Sequence, residues 1–509
     1  MVLGSDALEG RAPGTRGGDR AAAYLAAELA ALGLKPLGDD GGYLQQVPLL
    51  GSMPLPGCRL TISSLGEDRA LVLGDDYLLA TTGEQTLIPR PTPMVFVGYG
   101  IVAPEFDYND YADVDVRGKV VAFLEGEPIS TDAGYFAGEE RTVYAALETK
   151  IRTALARGAV GSVELPRPER DEVWWEMQRR AYSFEHVTAS AAVPRHLAVV
   201  LHPDRVATLF EDALYDLEIV LEMERRSALR SFHLPVQLAF DGEFATRSFL
   251  SPNVVAALDG TDPGLRSSYV VVSAHYDHLG RGPAEDGDEI YNGVVDNALG
   301  VAGALELARV LSGMERRPRR SLIFLFSTAE EEGNLGTTYF LEHASVTPPE
   351  MVANINIDGL AFLDGFASVV GIGGELSGLG GLLKRAVRPL GLEVTATDEV
   401  LWSHEAFVRS DQVAFAEAGV PSVIVAEGLS WKHASREEAL RQLAIWFETR
   451  YHRPTDDLDQ PLDLEAARQH CQAVLALVWA VADTARAPEW RPGAPYAYQR
   501  LLSLADDGR

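Results

Sequence analysis

Cysteine is scarce in this chain: Cys58 and Cys471 are the only two in 509 residues. Two thiols cannot build a disulfide framework or a thiolate cage, so any bound metal must rest on imidazole and carboxylate. Basic residues are also few, 44 Lys and Arg against 74 Asp and Glu, giving a net charge of -30. Nucleic acid and anionic membrane surfaces would repel such a chain, which argues against both as partners. No run of about 18 apolar residues occurs, the length a membrane-spanning helix requires. The longest candidate, AVLALVWAVA from Ala473 to Ala482, reads as a buried helix, and no integral membrane segment is expected. The opening MVLGSDALEGRAPGT lacks the charged start and apolar stretch of a signal peptide. That leaves a cytoplasmic protein, or a secreted or periplasmic one whose leader has been removed.

With 47% hydrophobic residues, the chain has material for a large core and more than one domain. Three segments separate. Residues 1–57 read as an N-terminal helix and lead-in. The helix is expected from Asp6 to about Leu34, with Ala21, Tyr24, Leu25, Leu29 and Leu32 at helical spacing and Gly33 closing it. Residues 58–245 are β-rich: runs such as MVFVGYGIV and GKVVAFLEG alternate with turns, a helix is expected from Thr142 to Arg157, and no ligand-spaced cluster of His, Asp or Glu appears. Residues 246–509 alternate strand and helix. SSYVVVSAH, RRSLIFLFST and MVANINID are continuous apolar runs of buried-strand length, separated by helical patterns at Ala298 to Leu311 and from Gly336 to about Glu342. This predicts an α/β domain with a mostly parallel central sheet, whose functional groups collect beyond the carboxyl ends of the strands.

At those ends stand His275, the pair Glu330 and Glu331, and Asp358; Asp296 precedes a helix and His452 lies further on. Imidazole nitrogen and carboxylate oxygen suit Zn²⁺ at about 2.0–2.2 Å. Two His and three carboxylates can hold two such ions if one carboxylate bridges them, and the sixth group is left as a general base. Two dications against three carboxylates leave about one formal positive charge, which favours ionising a bridging water at neutral pH. Glu330 and Glu331 are adjacent at a strand end, where successive side chains point to opposite sides, so one coordinates while the other serves as base. Asp277, two residues beyond His275, is placed to accept the proton of the ring nitrogen that is not on the metal. Alone, each of these residues has a structural reading. Asp296 is placed as a helix N-cap, Glu332 reads as surface, and His278 and His404 read as core or pocket-rim histidines. Their joint occurrence points to a metal-assisted hydrolase without naming its substrate.

The motifs AHYDHLG, VDNALG, AEEEGNLGT, NIDG and YHRPTD, with RSDQVAF and AGVPSVIV between the last two, resemble in order the signature of the M28 family of dizinc aminopeptidases and carboxypeptidases. The opening ALEGRAPGTRGGDRAAAYLAAELAALGLKP resembles that family's N-terminal helix, and VFVGYGIVAPEFDYNDYADVDVRGKVV its inserted protease-associated (PA) domain. The resemblance implies a three-layer α/β/α zinc-exopeptidase domain with a mixed, mostly parallel sheet, and two Zn²⁺ per chain. It implies that Asp296 bridges the zincs, with His275 and Asp358 completing one site and Glu331 and His452 the other. Glu330 then matches the general base, Asp277 the carboxylate orienting His275, Tyr451 a tyrosine that polarises the substrate carbonyl, and Arg409 a substrate-contacting arginine. A cis peptide after the bridging aspartate, Asp296-Asn297, is implied as well. Asn334, Thr337 and Gln412 depart from the usual leucine, serine and histidine. The expected activity is that of an aminopeptidase acting on peptides. The alternatives are a carboxypeptidase of the same family, a single-zinc acyltransferase like the glutaminyl cyclases, and a non-catalytic receptor-like binding module.

Overall fold

The structure is a computed structural model describing residues 2–132, 134–136, 138, 141–192, 194–396 and 407–506. His404, read above as a pocket-rim histidine, lies outside the described residues. The chain divides into two compact units, Met1–Leu49 with Phe249–Arg509, and Leu50–Ser248. No helix among the described residues is long and apolar enough to cross a membrane.

The N-terminal segment is not one helix from Asp6. A 3-10 turn covers Asp6–Arg11, the chain breaks at Ala12 to Gly14, and α1 runs Arg16–Ala31 with Thr15 as its N-cap, accepting from Gly18 N at 3.2 Å. Pro13 explains the break, because its ring cannot continue a helix and it biases the preceding residue to extended backbone. The apolar positions read from the periodicity hold: Ala21, Leu25 and Leu29 are buried in the main core.

The central sheet includes β1 (Leu44–Pro54), β2 (Phe244–Leu258), β3 (Tyr269–His275), β4 (Ser321–Ser327), β5 (Met351–Asn356), β6 (Ser368–Ile372), β7 (Glu393–Thr395) and β8 (Ser422–Glu427). Their order is β1-β2-β4-β3-β5-β8-β6-β7. The pairs β4/β3, β3/β5, β5/β8 and β6/β7 are parallel, whereas β2/β4 and β8/β6 are antiparallel, so the sheet is mixed and mostly parallel at its centre.

The continuous apolar runs are explained by burial on both faces. Side chains alternate along each strand. Val270, Val272, Leu322, Phe324 and Phe326 pack on one side with α1, α2 (Gly300–Gly313) and α4 (Leu464–Asp483), which supply Leu25, Val301, Leu307, Leu477 and Val481. Val271, Ile323 and Leu325 pack on the other side with Phe340 of α3 (Leu335–His343) and Phe415. The result is a helix, sheet, helix sandwich. Ala473 to Ala482, the longest apolar stretch, lies within α4.

Unit Leu50–Ser248 has its own mixed sheet and its own core, with Phe96, Val120, Val163, Val199 and Leu238 at its centre. The helix expected from Thr142 begins as a 3-10 turn, Val143–Ala145, and becomes α-helical at Leu147–Ala156.

Phe324 is fully buried mid-strand, so Phe324→Ala removes a ring from the layer beneath α2. We expect a loss of about 3–5 kcal/mol in denaturant unfolding, the range for a large buried side chain that leaves a cavity.

Candidate metal centre

Strand pairing gathers the predicted ligands. β3 lies between β4 and β5 with all three parallel, His275 opposite Ser327 and Ser273 opposite Asn356. Their carboxyl ends therefore lie side by side, and the residues just beyond them share one space. His275 is the last residue of β3, Glu330 and Glu331 come shortly after β4, and Asp358 comes just after β5. Asp296 comes from a wide turn at Val294–Leu299 that leads into α2, and His452 lies just beyond the helix Arg436–Thr449.

The two oxygens of Asp296 face different partners. Oδ1 lies 3.2 Å from His275 Nε2, which is also 3.2 Å from Asp358 Oδ1. Oδ2 lies 3.3 Å from His452 Nε2, which is 3.1 Å from Glu331 Oε2. Two triads thus share one carboxylate. Tetrahedral coordination at 2.0–2.2 Å separates ligand atoms by about 3.3–3.6 Å, so these spacings fit one cation per triad after small adjustments. His452 Nε2 is buried and, among the described residues, makes no aligned hydrogen bond; it lies between the two carboxylates. Glu330 lies at the edge of the first triad, near enough to His275 and Asp358 to form a donor group with them, its Oε2 3.9 Å from His275 Nε2 and its buried Oε1 without a hydrogen-bond partner among the described residues.

Glu330 and Glu331 do not owe their divergence to strand geometry, as the sequence suggested. They lie past the end of β4 in a tight turn in which Gly333 and Asn334 donate to the carbonyl of Glu330 at 2.8 and 2.9 Å. Ala329 adopts a positive φ of 52° just before the pair. This is an uncommon conformation for a residue with a Cβ, and such strain collects at functional sites. Asp296 is likewise no N-cap: α2 begins at Gly300, and the carboxylate turns to the two histidines. The Asp296–Asn297 peptide is cis.

Several supporting residues were not recognised in the sequence. His278, read as a core or pocket-rim histidine, is buried and its Nδ1 lies 2.6 Å from Glu331 Oε1, holding the oxygen that faces away from His452. Asp456 accepts from the amides of Val295 and Asp296 at 3.0 and 3.1 Å, which fixes the backbone at Asp296. Asn297 donates to Ile357 O at 2.9 Å and accepts from Gly359 N at 2.8 Å, tying the Asp296 turn to both flanks of Asp358. Asp411 accepts from Ser327 and Thr337 hydroxyls, each at 2.5 Å, and anchors the end of β4. Only Asp456 carried a local signal, its place within YHRPTD beside His452.

Asp277 is fully buried, and its Oδ1 accepts from Glu330 N at 3.2 Å. That oxygen is 3.9 Å from His275 Nδ1, whose closest acceptor is the Asp277 main-chain carbonyl at 3.3 Å. Tyr451 stacks on His452 with ring centroids 3.9 Å apart. Arg409 is exposed in the segment leading to the buried Asp411. Gln412 is buried, accepting from Asn356 at 2.9 Å and donating to Phe407 O at 2.6 Å, so this departure serves packing.

Burial opposes charge on His452, but Glu331 and Asp296 outweigh it and push the imidazole up to about 10. His275 is likewise held well above the usual range, Glu330 and Asp358 overcoming burial. Burial raises Glu330 well above the ordinary carboxylate range, with Asp358 and Glu331 adding to it against His275. The metal-free cluster therefore holds protons that a cation must displace. We expect the apparent zinc affinity, measured by chelator competition, to rise with pH from about 6 to beyond 8, with protons released on binding. A flat profile would show that the histidines are not the ligands.

Residues 253–478 match the family model described as peptidase family M28. The chain is similar to a vacuolar membrane protease of Vanderwaltozyma polyspora, 33% identical over 112 residues, covering 22% of this chain and 10% of that protein. It is also similar to a probable zinc metalloprotease of Pyrenophora teres f. teres, 34% identical over 106 residues, covering 21% of this chain and 22% of the relative. The chain thus spans a small part of the length of these relatives. Among solved structures, an aminopeptidase from Aneurinibacillus sp. strain AM-1 shares the fold with a TM-score of 0.56 at 17% identity, covering 96% of this chain and 94% of its own. Motif order, the C-terminal-end placement of the donors and the family match agree: the chain carries a peptidase family M28 domain over residues 253–478.

Proposed function

We propose that this chain is a zinc-dependent exopeptidase, an aminopeptidase that removes N-terminal residues from peptides, with two zinc ions per chain. The observation that carries the reading is the Asp296 carboxylate, whose two oxygens each face a different His-carboxylate pair. His275, Asp358 and Asp296 would hold one ion, and Glu331, His452 and Asp296 the other. When bound, zinc supplies a Lewis acid for the scissile carbonyl and makes water nucleophilic at neutral pH.

The protein's own groups do the rest. Glu330 has a free, buried Oε1 and takes the proton of the attacking water, then returns it to the leaving amine. Asp277 supports both the base and a candidate ligand, accepting from the Glu330 amide and placing its carboxyl group 3.9 Å from His275 Nδ1. His278 keeps Glu331 directed toward His452 by occupying its other oxygen. In this reading Tyr451 polarises the substrate carbonyl and Arg409 contacts the substrate, roles taken from the motif resemblance. The same resemblance supports reading the β-rich unit as a PA-type module. Among the described residues, the groups of three or more donors able to hold a metal all come from the unit that carries the M28 domain.

The base and ligand roles separate by substitution. We expect Glu330→Gln to retain its metals while kcat falls by about 10²–10⁴, the contribution of a general base. Glu331→Gln should lose one metal. Full activity in Glu330→Gln would sink the base assignment.

Polarity separates by blocking the amine. An ammonium anchored beside the zinc-bound carbonyl orients the scissile bond and lowers the entropic barrier. Matched free and N-acetylated peptides followed by mass spectrometry should show stepwise N-terminal trimming of the first and no turnover of the second. Internal cleavage would defeat the exopeptidase reading, and C-terminal trimming of the acetylated peptide would reverse its direction.

A further inference from the structure

Arg11 lies outside the family match, in the short 3-10 segment before α1, yet its side chain is fully buried beneath the cluster of donors. Among the described residues its guanidinium donates only to main-chain carbonyls: Nε to Tyr276 O at 2.7 Å, Nη1 to Leu3 O at 2.6 Å and Asn292 O at 2.5 Å, and Nη2 to Gly293 O at 2.9 Å. Tyr276 sits between His275 and Asp277, and Asn292 and Gly293 lead directly into the turn that carries Asp296. One planar fork therefore joins the backbone next to His275 to the backbone that leads into Asp296.

We propose that Arg11 is a positioning residue whose fork sets the His275 to Asp277 loop against the Asn292 to Asp296 loop, so that the donor cluster stands assembled before a cation arrives.

Three observations support it. A fully buried guanidinium is costly unless its donors are satisfied, and here four of the five hydrogens it offers are directed onto main-chain carbonyls, three of them in loops of the site. The rigid fork can hold several acceptors in one plane at once, which a lysine ammonium on a flexible stem cannot. The neighbouring geometry leaves little slack. Gly293 has a φ of 56°, and a Cβ there would come within 2.1 Å of Asp296 O and 2.5 Å of the His278 ring, so the backbone Arg11 grips is packed against both the bridging residue and the imidazole that holds Glu331. The Asn292 side chain reinforces the tie, donating to Asp6 Oδ1 at 2.9 Å. Arg11 also puts a fixed positive charge behind Asp277, Asp296, Asp456 and Glu331. Burial lowers its pKa to about 10 while those four carboxylates raise it, so it stays charged at neutral pH.

This inference rests on the metal-binding reading, and the test keeps the two apart. Zinc affinity is measured by chelator competition, and the visible absorption of the cobalt-substituted protein is recorded, for the full-length wild type, Arg11→Lys and Gly10→Ala. The lysine keeps the charge without the fork. In the second variant a Cβ would meet Gly280 O at 2.4 Å and Tyr291 O at 2.5 Å, so the arginine-bearing segment must move while its charge remains. We expect both variants to fold, by circular dichroism and gel filtration, and to bind zinc about 10–100-fold more weakly, the usual effect of losing a group that supports metal ligands, with an altered cobalt spectrum. Folded variants with wild-type zinc affinity and cobalt spectrum would overturn the proposal. So would failure of both to fold, which would assign Arg11 to the folding core. If only one folds, its zinc affinity decides. A wild-type protein that takes up no zinc would instead overturn the metal reading beneath it.

Discussion

The structure turns on one shared carboxylate. Asp296 offers one oxygen to His275 and the other to His452, and each histidine meets a further carboxylate at nearly the same separation. Everything around it keeps that group in place: Asp456 holds the backbone amides, Asn297 binds the turn to the Asp358 loop, and Arg11 grips the approach through Asn292 and Gly293. A carboxylate with two defined oxygen directions needs a backbone that cannot rotate away.

The same constraint explains an electrostatic arrangement that would be poor design for stability alone. Asp277, Asp296, Glu330, Glu331 and Asp411 crowd a buried space, where carboxylates cannot all stay ionised without compensation. The charge divides unequally. Burial raises Glu330 well above the ordinary carboxylate range, whereas Glu331, despite its burial, is drawn down to about 2 by His452 and His278. A carboxylate kept ionised beside one able to hold a proton is the division of labour that the proposed metal-assisted hydrolysis requires.

The sheet was legible in the sequence because strands buried on both faces must be apolar throughout, and Tyr269–His275, Ser321–Ser327 and Met351–Asn356 are. The candidate donor cluster was legible because most of its side chains come directly after an apolar run or just before a helix. The first helix was misjudged because periodicity continues through the Ala12 to Gly14 break, while the backbone does not. Glu330 and Glu331 diverge through a turn with a positive φ at Ala329, a feature that residue identity does not announce. Arg11, His278 and Asp411 were illegible for another reason. Arg11 acts through main-chain carbonyls 265 to 282 residues away, and His278 and Asp411 act through partners brought close only by strand order.

The most direct test of the shared carboxylate is anomalous diffraction at the zinc edge from crystals of the zinc-loaded protein. Two peaks about 3.5–4 Å apart, one on each side of Asp296 and each bonded to one of its oxygens, are the expected result. A single peak, or two peaks that leave Asp296 uncoordinated, would contradict the account.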